Sequence, residues 1–219
     1  MNATQNVHLE QRATSNSSPR GRRQNRLLLA AALIGLAALG SAEPLRAAKI
    51  TAPAVPDTIA IEAGHEPFLI AHAVGTQNFL CVPNEFSEGL SWTFTGPQAT
   101  LFDDKLRQIG THFLSHNADV PGSHNATWQL GSDTSAVWAV TYGVSIDPQW
   151  VEPGAIPWFS LKVIGREDGP TGGTDLSGTT WIQRIHTVGG ARPDASECTS
   201  AGKWRMVPYA AQYVFYRAQ

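Results

Sequence analysis

From Phe68 onward the chain alternates between apolar and polar residues and nowhere keeps to the period of a helix. In a pleated strand successive side chains point to opposite faces, so apolar residues two apart share a side. VPYAAQYVFYRAQ stacks Tyr209, Ala211, Tyr213 and Phe215 on one face, and AIPWFSLKVIG turns Phe159, Leu161 and Val163 inward with Ser160 and Lys162 outward. LSWTFTGP pairs Trp92 with Phe94, and ATWQLGSDTSAVWAVTYGV reads as a hairpin about residues 131–133 whose outgoing strand sets Ala136, Trp138, Val140 and Tyr142 together. A second turn is expected at residues 103–105. Short strands at regular spacing, punctuated by Gly and Pro, predict one all-β domain over residues 59–219, an antiparallel β-sandwich or a closed β-barrel.

The opening of the chain is of another kind. Residues 1–26 are polar and end in the basic run RGRRQNR, residues 27–40 are uncharged and apolar, and Gly40, Ser41 and Ala42 are small. These are the three parts of a signal peptide, predicted over residues 1–42. A membrane anchor needs about 20 apolar residues, so no integral span is expected after processing. Arg22 and Arg23 leave a twin-arginine route open beside the general one. Residues 43–58 form a Pro/Ala-rich leader onto the domain.

Without the signal peptide 177 residues remain, enough for one domain with its own core. They carry eleven Lys and Arg against seventeen Asp and Glu, a formal charge of −6. An acidic chain without a basic patch argues against nucleic acid and against anionic lipid. Its two cysteines, Cys81 and Cys198, are expected to form one disulfide in a secreted or periplasmic protein. Neither has a CxxC neighbour or a ligand-spaced His, which argues against zinc.

One segment resists the simple strand reading. In TTWIQRIHTVGG one face carries Trp181, Gln183, Ile185 and Thr187, the other Ile182, Arg184, His186 and Val188, and neither is cleanly apolar. Either one face is wet, or the polar residues line something.

Few constellations suggest chemistry. His112 and His116 have helical ligand spacing but sit in strand and loop. Adding His124 and Asp119 makes a nominal metal set, but surface histidines in loops are the commoner case, so no metal or cofactor is assigned. Ser132, Asp133 and His112 have no nucleophile elbow around them, and GPTGG lacks the GK[ST] ending of a phosphate loop, leaving a flexible loop. Asn125, Ala126 and Thr127 make a glycosylation sequon. The remaining signal is aromatic: Trp92, Trp128, Trp138, Trp158 and Trp181 fall on or near strands, as in a core or in the lining of a sugar or small-ligand pocket.

The ordered blocks GTQNFLC, W.FTGPQATLF, G.HF, ATWQ, DTSAVW, PGAIPW, GPTGG, IQR, TVGG and VPY.A.Y.FY resemble an exported bacterial and fungal family catalogued as domain of unknown function 3455, from about Pro67 to Tyr216. The resemblance implies no activity. Its recurrent positions fall on Gln77, Cys81, Trp92, Gly110, His112, Trp128, Asp133, Pro157, Trp158, Gln183, Arg184 and Cys198, whereas His186 stands where relatives often have Asn.

These readings converge on an exported binding module or structural envelope module, with no enzymatic activity assigned. Its ligand surface is expected at Trp128, Trp158, Gln183 and Arg184, the rings giving apolar area and the polar pair orienting a polar or anionic group. The competing expectation is a hydrolase or isomerase with His112 as general base oriented by Asp133. Mass spectrometry of the unreduced protein is expected to find the mass two hydrogens short and no free thiol; alkylation of Cys81 and Cys198 without reduction contradicts the bridge.

Overall fold

The computed structural model describes residues 49–117 and 120–219, so the expected signal peptide and the first residues of the leader lie outside the described residues. The strands are β1 His65–Pro83, β2 Leu90–Phe102, β3 Gln108–His116, β4 His124–Leu130, β5 Ala136–Ser145, β6 Trp158–Glu167, β7 Thr179–Gly189 and β8 Trp204–Ala218. Each pairs antiparallel with the next, and β8 returns to pair with β1, so the sheet is a closed barrel. The choice between sandwich and barrel is thus settled by one long-range pairing, from His65 opposite Ala218 to Leu80 opposite Trp204. Among the described residues no helix is long and apolar enough to cross a membrane.

Closure sends alternate side chains into a narrow lumen, where large residues must face small ones. The lumen core sets Trp128, Tyr213, Phe215 and Leu101 against Ala71, Ala73, Ala99, Ala139 and Ala211. The face read from VPYAAQYVFYRAQ is the inward one, as is that of Phe159, Leu161 and Val163. On β5 the large residues point the other way. Val137 and Ala139 are buried in the lumen, while Val140 and Tyr142 are exposed, and the ladder shifts register between Trp138 and Ala139.

From Trp181 to Ile185 both faces of β7 are covered, while His186 and Val188 beyond are exposed. Ile182 is wholly buried in the lumen. On the outer wall Trp181 and Ile185 join Trp158, Val214 and Tyr216 in a second cluster, covered by Val55, Ile59, Ile61, Trp150 and Val151. The cover is a strap, residues 55–61, which runs through a short 3-10 helix, Asp57–Ile59. Ile59 is fully buried beneath it, worth roughly 1.5 to 3 kcal/mol. The outer face of β7 was unreadable as core because its partner is a Pro/Ala-rich segment more than a hundred residues earlier.

The barrel has unlike ends. At one, the GPTGG segment is a packed cap, contrary to the flexible loop expected. Asp133, in the turn after β4, accepts from Ser135 N and Oγ and from Asp175 N, and so pins the β6–β7 connection. That brings Leu176 into the lumen with no exposed surface. The glycines permit the approach: a Cβ on Gly169 would stand 1.8 Å from the Asp133 carbonyl oxygen, and one on Gly173 would stand 2.4 Å from the Asp133 Cβ. At the other end Cys81 of β1 is bonded to Cys198, which fastens the β7–β8 connection. Trp92 Nε1 donates to Asp194 O and Arg192 Nη1 to Trp92 O, completing that attachment.

Leu176→Ala is expected to lower stability by about 3 kcal/mol, as a wholly buried leucine lost with little relaxation does. Gly169→Ala is expected to destabilise as well, because backbone must move to admit the methyl. Urea unfolding midpoints at constant slope measure both, and an unchanged midpoint for either contradicts the packed cap.

Candidate functional site

Within the lumen, near the end crossed by the β1–β2, β3–β4, β5–β6 and β7–β8 connections, is a cavity of about 150 Å³ to which every strand contributes a side chain. Its floor is Trp128, Leu161 and Tyr213, all buried; Phe94 and Thr141 are exposed at the rim. The outer wall carries a larger groove of about 440 Å³, but Glu62, Lys162 and Arg166 line it with solvated charge. The lumen cavity is walled by all eight strands.

Arg184 enters from β7, on the face opposite Gln183. Its Nε and Nη2 both donate to Pro157 O, at 3.2 and 2.9 Å, and its Cζ lies 4.0 Å over the centre of the Phe159 ring. The guanidinium is fixed by a carbonyl and a ring face, and no carboxylate among the described residues pairs with it. Burial lowers its pKa from the usual value, while the Tyr213 and Tyr209 hydroxyls beside it act in the opposite sense. A guanidinium starts so far above neutrality that the group stays charged.

Other polar atoms here are similarly unanswered. Gln77 Nε2, Trp128 Nε1, Tyr209 Oη and Tyr213 Oη are buried without a hydrogen bond of normal geometry, although the Tyr213 hydroxyl is near enough to feel the Arg184 charge. A native barrel leaves few such groups, each costing about 1 to 3 kcal/mol. Burial raises the pKa of both tyrosines, which therefore remain neutral hydroxyls.

His112 is in the same lumen, stacked on Trp128 with ring centres 4.3 Å apart. Its Nδ1–H donates to Thr127 O at 2.8 Å, which fixes the proton on Nδ1. Desolvation, aided by the Arg184 charge and opposed by the Thr127 bond, lowers its pKa to about 3. So weak a base is poorly matched to proton abstraction near neutrality.

The residues singled out by sequence divide by strand parity. Trp128 and Arg184 line the cavity together with His112. Trp158 and Gln183 lie in or beside the outer cluster instead. Gln183 Nε2 donates to Ile59 O and its Oε1 accepts from Tyr216 Oη, so it clasps the strap to the barrel. Trp158 packs edge-on against Trp150 and His186. The structure corrects the ligand surface expected at these two positions. It does not join His112 to Asp133 either: the imidazole is bonded to Thr127, and both Asp133 oxygens are taken by the cap. Desolvation pushes the Asp133 carboxyl up, but the hydrogen bonds from Asp175 and Ser135 together hold it below its ordinary value.

The other candidates disperse. His116 and His124 face each other across β3 and β4, exposed, with ring centres 4.8 Å apart, and neither lines the cavity; Asp119 lies outside the described residues. His186 has a positive φ of 49° at a break in the β7–β8 ladder and meets Gln212 Oε1 on the surface. Asn125 of the sequon is buried in β4. Sequence reasoning missed Gln77, Tyr209 and Tyr213 as polar groups of the site. The signal for the tyrosines was present in VPYAAQY, where two hydroxyls point into what otherwise reads as core.

The family model described as protein of unknown function (DUF3455) matches residues 62–217. No curated protein and no solved structure matches the chain.

The His112 imidazole makes stability fall on the acid side. Its folded pKa, about 3, is below the ordinary 6.5, so from 6.5 down to 3 the unfolded chain binds a proton that the folded chain refuses. The contribution is complete above 6.5 and is lost progressively below it. His112→Phe, which keeps a ring on Trp128 but cannot titrate, is expected to flatten the fall. Parallel slopes for the two proteins from pH 6.5 to 4, in urea unfolding, contradict it.

Proposed function

The chain belongs to the DUF3455 family, and we propose that this member is a small-molecule-binding barrel that takes its ligand into the lumen beside Arg184. The observation that carries the reading is the lone guanidinium, fixed by Pro157 and Phe159 with no acid among the described residues to answer it. A barrel that served only as scaffold has no use for a half-buried cation and unbonded polar atoms where aliphatic residues would fit. The cavity, about 150 Å³, compares with an engineered cavity of about that size that holds benzene, and is below the roughly 300 to 1,000 Å³ of drug-sized sites. The ligand is accordingly a single ring or a short acyl chain; a disaccharide does not fit.

The same reading has the protein exported. Its support is the Cys81–Cys198 bridge, which persists in oxidising compartments, together with the basic and apolar opening of the sequence.

Ala126 lines the cavity and is half-buried, so Ala126→Phe fills the space without a new charge. A thermal-shift screen of ring-sized acids, alcohols and monosaccharides is expected to give hits with the unaltered protein that disappear in Ala126→Phe. Hits that survive the substitution, or none from any class, contradict binding in the lumen.

A further inference from the structure

We infer that the ligand of the lumen is a small monocarboxylate with an apolar body, its carboxylate held by the free side of the Arg184 guanidinium; this rests on the lumen-binding reading above. Charge comes first. Arg184 is the only charged side chain lining the cavity, no carboxylate shares the lining, and His112 stands there as a neutral ring. A single buried cation is neutralised by a single negative charge. A doubly charged phosphate would leave net charge unpaired in a lumen that cannot solvate it.

The donors agree with an oxyanion. Pro157 O occupies Nε and one N–H of Nη2, and beyond these the guanidinium has the Tyr213 hydroxyl beside it, so its remaining N–H groups face the cavity without a carboxylate among the described residues. The Trp128 indole and the Gln77 amide nitrogen can only donate, and the Tyr213 hydroxyl can donate; all three line the same cavity without a hydrogen bond of normal geometry, Gln77 and Tyr213 having only the Tyr209 hydroxyl and, for Tyr213, Arg184 close by. A carboxylate presents two oxygens with about four acceptor positions, which suits this set. Phe159, stacked on the guanidinium, keeps the side chain from swinging to a water-exposed rotamer, so the cation is oriented before the ligand arrives.

The body of the ligand follows from the rest of the wall. Phe94, Leu114, Ala126, Leu161 and the face of Phe159 are apolar, and about 150 Å³ admits an aromatic ring or a four-carbon chain but little more. Hydroxyl groups spread around a sugar would meet hydrocarbon on that side and lose their hydrogen bonds. The site therefore separates an acid head from a greasy tail, the reverse of what a sugar requires.

Calorimetric titration of the oxidised protein with benzoate and butyrate, against benzyl alcohol, butanol and inorganic phosphate, tests this. Each acid is expected to bind at least about tenfold tighter than its alcohol, with Arg184→Met removing the preference and Arg184→Lys retaining part of it. Equal binding of acids and alcohols, blocked alike by Ala126→Phe, overturns the carboxylate and leaves lumen binding standing; so does binding of phosphate without the acids. No binding of any probe, with no perturbation of the Trp128 indole resonance under xenon pressure, overturns both. The acid-to-alcohol comparison on the unaltered protein decides the question even if Arg184→Met fails to fold.

Discussion

Pairing of β8 with β1 is the constraint on which the rest of the molecule depends. It removes both sheet edges at once, and with them the unpaired backbone groups that an open sheet must protect. It also fixes the interior volume. Once the ring of strands is closed, every second residue goes into a space whose width the backbone sets, and the side chains must sum to that width. The alanines of β1, β2, β5 and β8 are there because Trp128, Tyr213 and Phe215 take the room. Beside Arg184 the sum falls short, and a cavity remains.

How much of this was written in the sequence depends on what each residue packs against. The inner faces of β6 and β8 were legible because their outward neighbours are polar or smaller, so period and burial agree. β5 misled because its bulky residues lie outside and its small ones inside, and alternation alone has no sign. β7 was illegible for a different reason. From Trp181 to Ile185 both of its faces are covered, one in the lumen and one under the strap, so the contrast that marks a face is missing. The disulfide could be read from two cysteines and a compartment. Closure could not, since a sandwich and a barrel share the same strands and differ in one pairing of the chain's distant ends.

The same parity governed the site. Gln183 and Arg184 are neighbours in sequence and sit on opposite sides of the wall, one clasping Ile59 and the other facing the cavity. Residues that recur in a family need not share a purpose. Gln183 answers a backbone carbonyl that would otherwise be buried unpaired beneath the strap. Arg184 has its cost only partly met, by one carbonyl and one ring. The difference between a satisfied and an unsatisfied polar group, invisible in a string of letters, separates the residue that holds the strap from the one that faces the cavity. Asp133 belongs with Gln183: all of its hydrogen bonds are spent on holding the cap.

The cap has a consequence for traffic. With Leu176 seated in the lower lumen and the GPTGG turn locked over it, the interior is a vessel with one mouth. Phe94 and Thr141 stand exposed at that mouth. The β7–β8 connection there is tethered by Cys198. The disulfide thereby holds one side of the rim in place, while the hydrogen bonds of Asp133 hold the closed end.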